Sequence, residues 1–331
     1  MTTYAIFNVD SSDSNTGTSS ASLKWATLQI GGNAVRFLNA VLLDRTVFQI
    51  ARITATHCRW KLVFFRGNPC ETAIEINLHD VRPTSVALHS AGKAIWSEFE
   101  ATREKPRLVD VTDASQWLRE TNTLGLDDFH LEAGRYVAVD SKGIAFYSDP
   151  KQESTFLRAL ILQALGYAYL HVLSNLSKEI AASLGDAGSM RAAYKKLIMF
   201  NAQCFLTYPV GPDNTTLPGI WDRLRDKFKL DRVNEELTRQ AHDVANLLAE
   251  QARQDEEQRQ HDLQTRSDQA KAAASEQQHR ADAAERKRLL LLKWLGGFVS
   301  VALAGVSILQ GLQAPPAQLL ENFRLWRMLF F

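Results

Sequence analysis

Residues 249–288 read AEQARQDEEQRQHDLQTRSDQAKAAASEQQHRADAAERKR, and residues 289–312, which follow directly, read LLLLKWLGGFVSVALAGVSILQGL. The first part has one large apolar residue, Leu263, among residues with good helix propensity. The second part is almost entirely apolar. A polar helix that leads into an apolar helix is typical of a stalk that enters a lipid bilayer. This junction therefore predicts a membrane protein whose large N-terminal part is held away from the lipid.

The apolar stretch has the length of a membrane span. Trp294–Leu312 carries no charged residue, and as a helix it would measure about 28 Å, close to a hydrocarbon core of ~30 Å. Basic residues at its start are expected on the cytoplasmic side, and a tryptophan suits the headgroup region. The predicted membrane-proximal anchor consists of Arg286, Lys287, Arg288 and Trp294. We therefore predict a transmembrane helix over residues 289–312.

Small residues recur along this span at spacings of three and four, and a lysine precedes them by one turn. The resulting stripe consists of Lys293, Gly297, Ser300, Ala304, Ser307 and Gly311. One interpretation is a seam along which helices of several copies pack closely. The other is the lining of a narrow aqueous pore, with the serine hydroxyls facing water and Lys293 near the cytoplasmic mouth. Both interpretations need more than one copy, so we predict a homo-oligomer.

The residues after the span predict a short second membrane element. Gln313-Ala-Pro-Pro316 stops the helix, because proline interrupts helical hydrogen bonding. Residues 313–331 are apolar but include Glu321, Arg324 and Arg327. A segment this short and charged suits a helix that lies in the membrane interface. The alternative is a short second span shielded by other subunits.

The stalk, residues 229–288, is predicted to be one long helix with coiled-coil character near its start. Apolar residues there are spaced so that they form a seam: Leu230, Val233, Leu237, Val244 and Leu247. Beyond Ala252 the seam fades into polar residues that have little to bury. Such a helix would fray alone, so we expect it to be bundled with copies of itself.

The N-terminal part predicts an α+β fold. In residues 1–150, short alternations of apolar and polar residues between turn signals favour a mixed α/β domain. The predicted strands are Tyr4–Val9, Arg59–Phe65, Thr72–Leu78, Lys93–Phe99, Arg107–Val111, Arg135–Val139 and Gly143–Tyr147. Residues 151–228 change to helical spacing and predict a helical region. Its first helix, Phe156–Val172, is interrupted by polar residues, which favours a core helix over a membrane helix.

Composition bounds the class of protein. The chain has 331 residues, 45% of them hydrophobic, which suits one substantial globular part and argues against many membrane spans. A formal net charge of +1 gives no support for a nucleic-acid partner. Three widely spaced cysteines suit a reducing compartment. The first ten residues lack the pattern of a secretory signal, so we expect the N-terminal domain to be cytoplasmic.

The order of these parts resembles a known family. The stretch Phe200-Asn-Ala-Gln-Cys-Phe-Leu-Thr-Tyr-Pro-Val210, followed by Trp221 and the long helix, resembles segments of CorA-like bacterial membrane proteins. The whole layout resembles the CorA-type divalent-cation channel superfamily. That resemblance implies a cytoplasmic α/β domain, a long pore-lining helix and a homopentamer in the bacterial inner (cytoplasmic) membrane. It also implies a divalent cation, Mg²⁺, as the transported ion.

One departure from the family concerns the selectivity entrance. CorA-type magnesium channels carry a Gly-Met-Asn motif just after the first span, whereas this chain has Gln310-Gly311-Leu312-Gln313. Gln310 and Gln313 would still place amide oxygens near a pore mouth. The sequence therefore leaves the metal unknown. Relatives that lack the motif are also associated with bacterial defence.

No pattern in the chain predicts an enzyme. The pair Gly31-Gly32 lacks the following Lys-Ser/Thr of a phosphate-binding loop. The chain has neither a Gly-x-Ser-x-Gly nucleophile elbow nor a His-Glu-x-x-His pair. The set His57, Cys58, Cys70, His79 and His89 does not have the spacing of a zinc site. We therefore expect a channel or transporter gated by its cytoplasmic domain through the stalk. The alternative is a membrane-anchored sensor or effector, with a cytoplasmic ligand or partner that the sequence does not identify.

Overall fold

The computed structural model describes residues 2–9, 23–54, 57–78, 90–99 and 106–311. Its contacts divide the chain into two units, Met1–Ala252 and Arg253–Phe331. The strands are β1 (Thr2–Val9), β2 (Ala26–Thr27), β3 (Gln29–Ile30), β4 (Asn33–Ala34), β5 (Val47–Arg52), β6 (Cys58–Phe64), β7 (Thr72–Leu78), β8 (Ser90–Glu98), β9 (His130–Glu132), β10 (Arg135–Asp140) and β11 (Gly143–Ser148). The α-helices are α1 (Ala40–Leu43), α2 (Leu108–Arg119), α3 (Glu153–Ala182), α4 (Ala187–Gln203), α5 (Leu217–Phe228) and α6 (Leu230–Gly311).

Most of these strands join one mixed sheet in the first unit. Within the described residues the order is β2-β5-β6-β7-β1-β8-β11-β10-β9, and β3 pairs separately with β4. Neighbours in the large sheet are antiparallel except β8 and β11, which are parallel. Parallel neighbours need a crossover connection. Here the chain passes through α2, β9 and β10 before β11 returns beside β8.

Helices cover both faces of the sheet around β11. On one face Val137, Ile144 and Phe146 belong to a core built with α3, α4 and α5. On the other face Ala145 and Tyr147 belong to a smaller core with α2. This two-sided burial explains why every residue of β11 is buried. The first unit is thus α+β, with the main core on the α3 side of the sheet.

Helix α3 is the centre of that main core. Among the described residues it supplies the one helix long and apolar enough to cross a membrane, Pro150–Ala182, and 78% of that apolar window is buried inside the structure. Its buried Tyr169 hydroxyl donates to the Cys204 carbonyl oxygen (2.8 Å) and accepts from the Leu206 backbone N–H (3.2 Å). Side-chain burial and these bonds agree with the predicted core helix.

The first unit ends with the start of α6. Helix α5 stops at Phe228, and Lys229 adopts a left-handed conformation (φ 52°) that breaks the helix before α6 begins. The Arg225 guanidinium then pairs with the Asp231 carboxylate across the break. Leu230 and Leu237 are buried in the main core, whereas Val233 and Leu247 are exposed. Part of the predicted seam is therefore covered by the chain itself.

The strand predicted over Arg107–Val111 is wrong, because these residues begin helix α2. The backbone N–H of Arg107 donates to the Asp110 carboxylate (3.1 Å), a local bond that fixes a helix start. Val111, Ala114 and Leu118 are buried at helical spacing. Five residues of alternating polarity fit either structure, and here the helical pattern beyond them decides.

Replacement of Gly143 by alanine should destabilise the first unit strongly. A methyl group there would overlap with the Lys93 carbonyl oxygen of the paired strand and lie 2.8 Å from Leu118 Cδ2. Neither strand can move away without breaking the parallel β8–β11 pair. We therefore expect the free energy of unfolding to fall by about 3 kcal/mol. Thermal unfolding followed by circular dichroism should show a Tm lower by roughly 10 °C.

Gly185→Ala is the matched control, because an added Cβ there meets no atom within 4 Å. Its Tm should stay close to that of the unaltered protein. Equal stability of both variants would contradict the described β8–β11 pairing.

Candidate functional site

The second unit consists, in its described part, of the continuation of helix α6. Side chains are exposed from Gln251 to Leu303, and this range contains the polar stalk and the start of the apolar stretch. The large apolar residues are no exception: Trp294 is 70% exposed and Val301 is 72% exposed. Exposed apolar surface of this extent marks a site of contact with lipid or with other chains. The helix alone gives these residues no cover.

The helical backbone brings the predicted stripe together on one face. Lys293, Gly297, Ser300 and Ala304 follow each other at spacings of four, three and four along α6, which places them in one row. The backbone is still helical at Ser307, Gln310 and Gly311, although the side chains beyond Ala304 lie outside the described residues. Gln313 and the predicted second membrane element also lie outside them.

The stripe includes one of two adjacent glycines, Gly296 and Gly297. A Cβ added at Gly296 or at Gly297 meets no atom within 4 Å. Among the described residues, therefore, nothing requires glycine at either position. We expect the small size of Gly297 to serve contacts with another molecule.

The Ser300 hydroxyl is satisfied within the helix. It donates to the Gly296 carbonyl oxygen at 2.8 Å, one turn earlier. A serine bonded in this way enters an apolar environment at low cost, because its proton already has an acceptor. Its oxygen still has lone pairs that accept a bond from water or from a neighbouring helix. Both interpretations of the stripe are compatible with this geometry.

The predicted anchor lies on the same helix. Arg286, Lys287 and Arg288 are exposed and immediately precede the exposed leucines 289–292. The change from three cations to four leucines occurs over a single residue step. Such a boundary suits a membrane surface, where long cationic side chains extend towards the headgroups.

A groove of about 390 Å³ lies in the first unit between strands β6–β7 and helices α3–α4. Its polar lining includes Lys61, Glu71, His171, Asn175, Glu179 and Lys196. The Lys196 ammonium pairs with the Glu179 carboxylate, and His171 Nε2 lies 2.9 Å from Asn175 Nδ2. The groove has opposite charges side by side, which suits a small polar molecule rather than a strongly charged one.

The three cysteines do not pair with one another. All three are free, and burial raises the pKa of the Cys70 thiol, which lines the groove, to about 11. A thiol with a raised pKa stays protonated and is a poor metal ligand. Within the described residues, no three His, Cys, Asp or Glu side chains lie close enough to hold a metal. His79 and His89 lie outside those residues.

A second polar cluster surrounds the β9–β10 hairpin. Glu132 Oε1 accepts from Arg223 Nη2 of α5 at 2.9 Å, and Arg135 is 3% exposed beside it. Gln152 joins the cluster through a bond to the Ala133 carbonyl oxygen (3.3 Å). The sequence does not reveal this cluster or the groove, because their residues come from separate elements with no common local motif. The sequence offers one indication of the cluster, which is that Arg135 stands at the start of an otherwise apolar strand.

No protein-family model matches this chain, and neither a curated protein sequence nor a solved structure matches it. The CorA-like resemblance therefore stays a prediction.

Alkylation of Cys70 should require strongly alkaline pH. Because burial disfavours the thiolate, the rate of iodoacetamide reaction at Cys70 should rise with a midpoint near pH 11. Mass spectrometry of the Cys70 peptide across a pH series measures this rate in the unaltered protein. In denaturant the midpoint should fall towards the ordinary value of about 8.5. A folded-state midpoint at or below that value would contradict the described burial.

Proposed function

We propose that this chain is a homo-oligomeric membrane protein of CorA-like build that conducts ions. Copies of α6 enter the bilayer together at residue 289 and surround a narrow path. The N-terminal unit lies in the cytoplasm and controls that path. Mg²⁺ is the cation that the family resemblance suggests, and no residue of the first unit is assigned to it.

One observation carries the proposal. Helix α6 continues without a break from the polar stalk into the apolar stretch, and the apolar side chains there are exposed. Fully burying one large apolar side chain is favourable by roughly 1.5–3 kcal/mol relative to leaving it in water. Transfer of the many exposed apolar side chains of this stretch out of water is therefore strongly favourable. A bilayer provides that burial along a helix of this length.

The stripe supplies the reason for assembly around a path. Glycine, serine and alanine on one face let helices approach closely, and the serine oxygen provides a polar lining. Lys293 belongs to the same row, one turn nearer the stalk. In a ring of α6 helices this lysine would stand at the cytoplasmic entrance. In a narrow ring the Lys293 ammonium would repel cations at this entrance. A wide ring, or an ammonium that extends towards the headgroups, removes this barrier.

A sensor or effector without a pore is the second candidate. The Ser300 hydroxyl proton is already bonded to the Gly296 carbonyl oxygen, so this serine has no need of water. In this candidate the stripe is a packing seam between helices, and the groove of the first unit receives the activating ligand. The protein would then act by changing its assembly or its partners in the membrane.

Ion flux through the purified full-length protein in proteoliposomes tests the first candidate. Separate indicators for Mg²⁺ and K⁺ give the cation preference. Gly297→Leu should reduce flux at least tenfold, because a leucine on the stripe fills the path or separates the helices. Ala302→Leu should leave flux within about twofold, since position 302 lies on the side of α6 opposite the stripe.

Ala302→Leu is the control for Gly297→Leu. Both substitutions place a leucine on the exposed part of α6, but on opposite sides of the helix. Equal flux in both variants and in the unaltered protein would contradict a pore along the stripe. Sealed vesicles with correctly inserted protein would favour the second candidate.

A further inference from the structure

The polar cluster at the β9–β10 hairpin has a geometry that the membrane proposal does not use. Arg135 and Glu132 are direct partners across the antiparallel β9–β10 pair, so their side chains project from the same face of the sheet. That face is the one covered by α3 and α5. The Arg135 guanidinium lies 5.7 Å from the centre of the Phe146 ring, at the margin of the main core.

Helix α5 closes over this hairpin. Arg223 reaches down from α5 to Glu132, and Gly219, one turn earlier, passes so close that an added Cβ would lie 3.2 Å from Glu132 Oε1. Gln152 donates to the carbonyl oxygen of Ala133, the residue after Glu132. Two guanidinium groups, one carboxylate and one amide therefore belong to the surroundings of this hairpin, with a net charge of +1.

Several polar atoms in this cluster are buried without a protein partner. Among the described residues these orphaned atoms are Glu132 Oε2, Arg135 Nε, Arg135 Nη2, Gln152 Oε1 and Arg223 Nη1. Native proteins leave few such atoms, and each needs a partner such as an ion or a water molecule. Burial also lowers the pKa of Arg135. So many orphans in one place indicate an occupant.

The orphaned atoms define the chemistry of that occupant. The three arginine nitrogens are donors that need acceptor oxygens, and these bonds are strongest when the oxygen carries negative charge. Glu132 Oε2 and Gln152 Oε1 are acceptors and need an O–H or N–H group. An oxyanion that still carries a proton meets both needs in one molecule. Because Arg135 is almost completely buried, the occupant must be of ion size.

We propose that Arg135, Arg223, Glu132 and Gln152 form a binding site for a small protonated oxyanion, of which dihydrogen phosphate is the best match. Its unprotonated oxygens accept from the two guanidinium groups. Its hydroxyls donate to Glu132 and Gln152. Its single negative charge balances the net charge of the cluster. Sulfate, which has no proton to donate, is rejected because it would face the Glu132 carboxylate.

The site holds α5 to the sheet. Arg223 lies in α5, and a single residue, Lys229, separates α5 from α6. An ion that bonds both Arg223 and Arg135 ties this helix to β10, so its binding stabilises the first unit at the point where the stalk starts. The site does not rest on the proposed ion conduction, and it exists whether or not the protein conducts.

Isothermal titration calorimetry on the full-length protein in detergent micelles tests the site, with sodium phosphate and sodium sulfate as probes at equal ionic strength near pH 6. Phosphate should bind at least tenfold more tightly than sulfate and should raise the Tm. Arg223→Gln should weaken phosphate binding at least tenfold. Arg59→Gln, which changes an arginine paired with Glu75 elsewhere on the sheet, should leave it unchanged.

Glu132→Gln gives the decisive comparison. A glutamine presents an N–H in place of the carboxylate, so sulfate should gain affinity and the tenfold preference for phosphate should disappear. Circular dichroism of each variant establishes that it is folded. Equal binding of phosphate and sulfate by the unaltered protein would overturn the proposal. Absence of phosphate binding would also overturn it, since the orphaned atoms would then be satisfied by buried water alone.

Discussion

The burial of helix α3 is the contact on which the first unit depends. Its Phe156 ring lies 5.1–5.9 Å from the rings of Tyr4, Trp96 and Phe146, which belong to three neighbouring strands. On its other side Gly166 lets the Phe228 ring approach, because a Cβ at Gly166 would lie 2.6 Å from that ring. One helix thus joins the sheet to α5, the helix that leads into α6. The most apolar helix of this unit is thereby removed from solvent, whereas the apolar side chains of residues 289–303 are exposed.

Sequence patterns predicted those parts of the fold that depend on local alternation or periodicity. Strand β7 has the bounds that were predicted, because Ile74 and Ile76 alternate with polar residues between turn signals. The segment Arg107–Val111 has a similar but shorter pattern, and there the Asp110 cap and the helical spacing of the buried residues favour a helix. The groove and the arginine cluster were not predictable. Each joins residues from several elements, and only the folded sheet brings them together.

The stripe of small residues was visible in the sequence, and the structure adds a reason to look outside the chain for its role. Gly297 has open space around it, so its small size serves no contact within α6. The two proposed features then differ in what they need. The stripe needs other copies and a bilayer, whereas the oxyanion site needs only the first unit. Arg223 and the α5–α6 break connect them in the sequence, and an ion bound at Arg223 would act near the start of α6.

Helix α6 is proposed to leave water near residue 289. Nitroxide labels placed singly from residue 280 to residue 304 test this in the full-length protein in vesicles, with the native cysteines replaced by serine. Each label reports whether its position meets a water-soluble nickel complex or lipid-soluble oxygen. We expect nickel accessibility up to Arg288 and a sharp change to oxygen accessibility beyond Leu289, with positions 297, 300 and 304 protected from oxygen because they face the other helices or the path between them. Nickel accessibility throughout residues 289–303 would contradict this proposal.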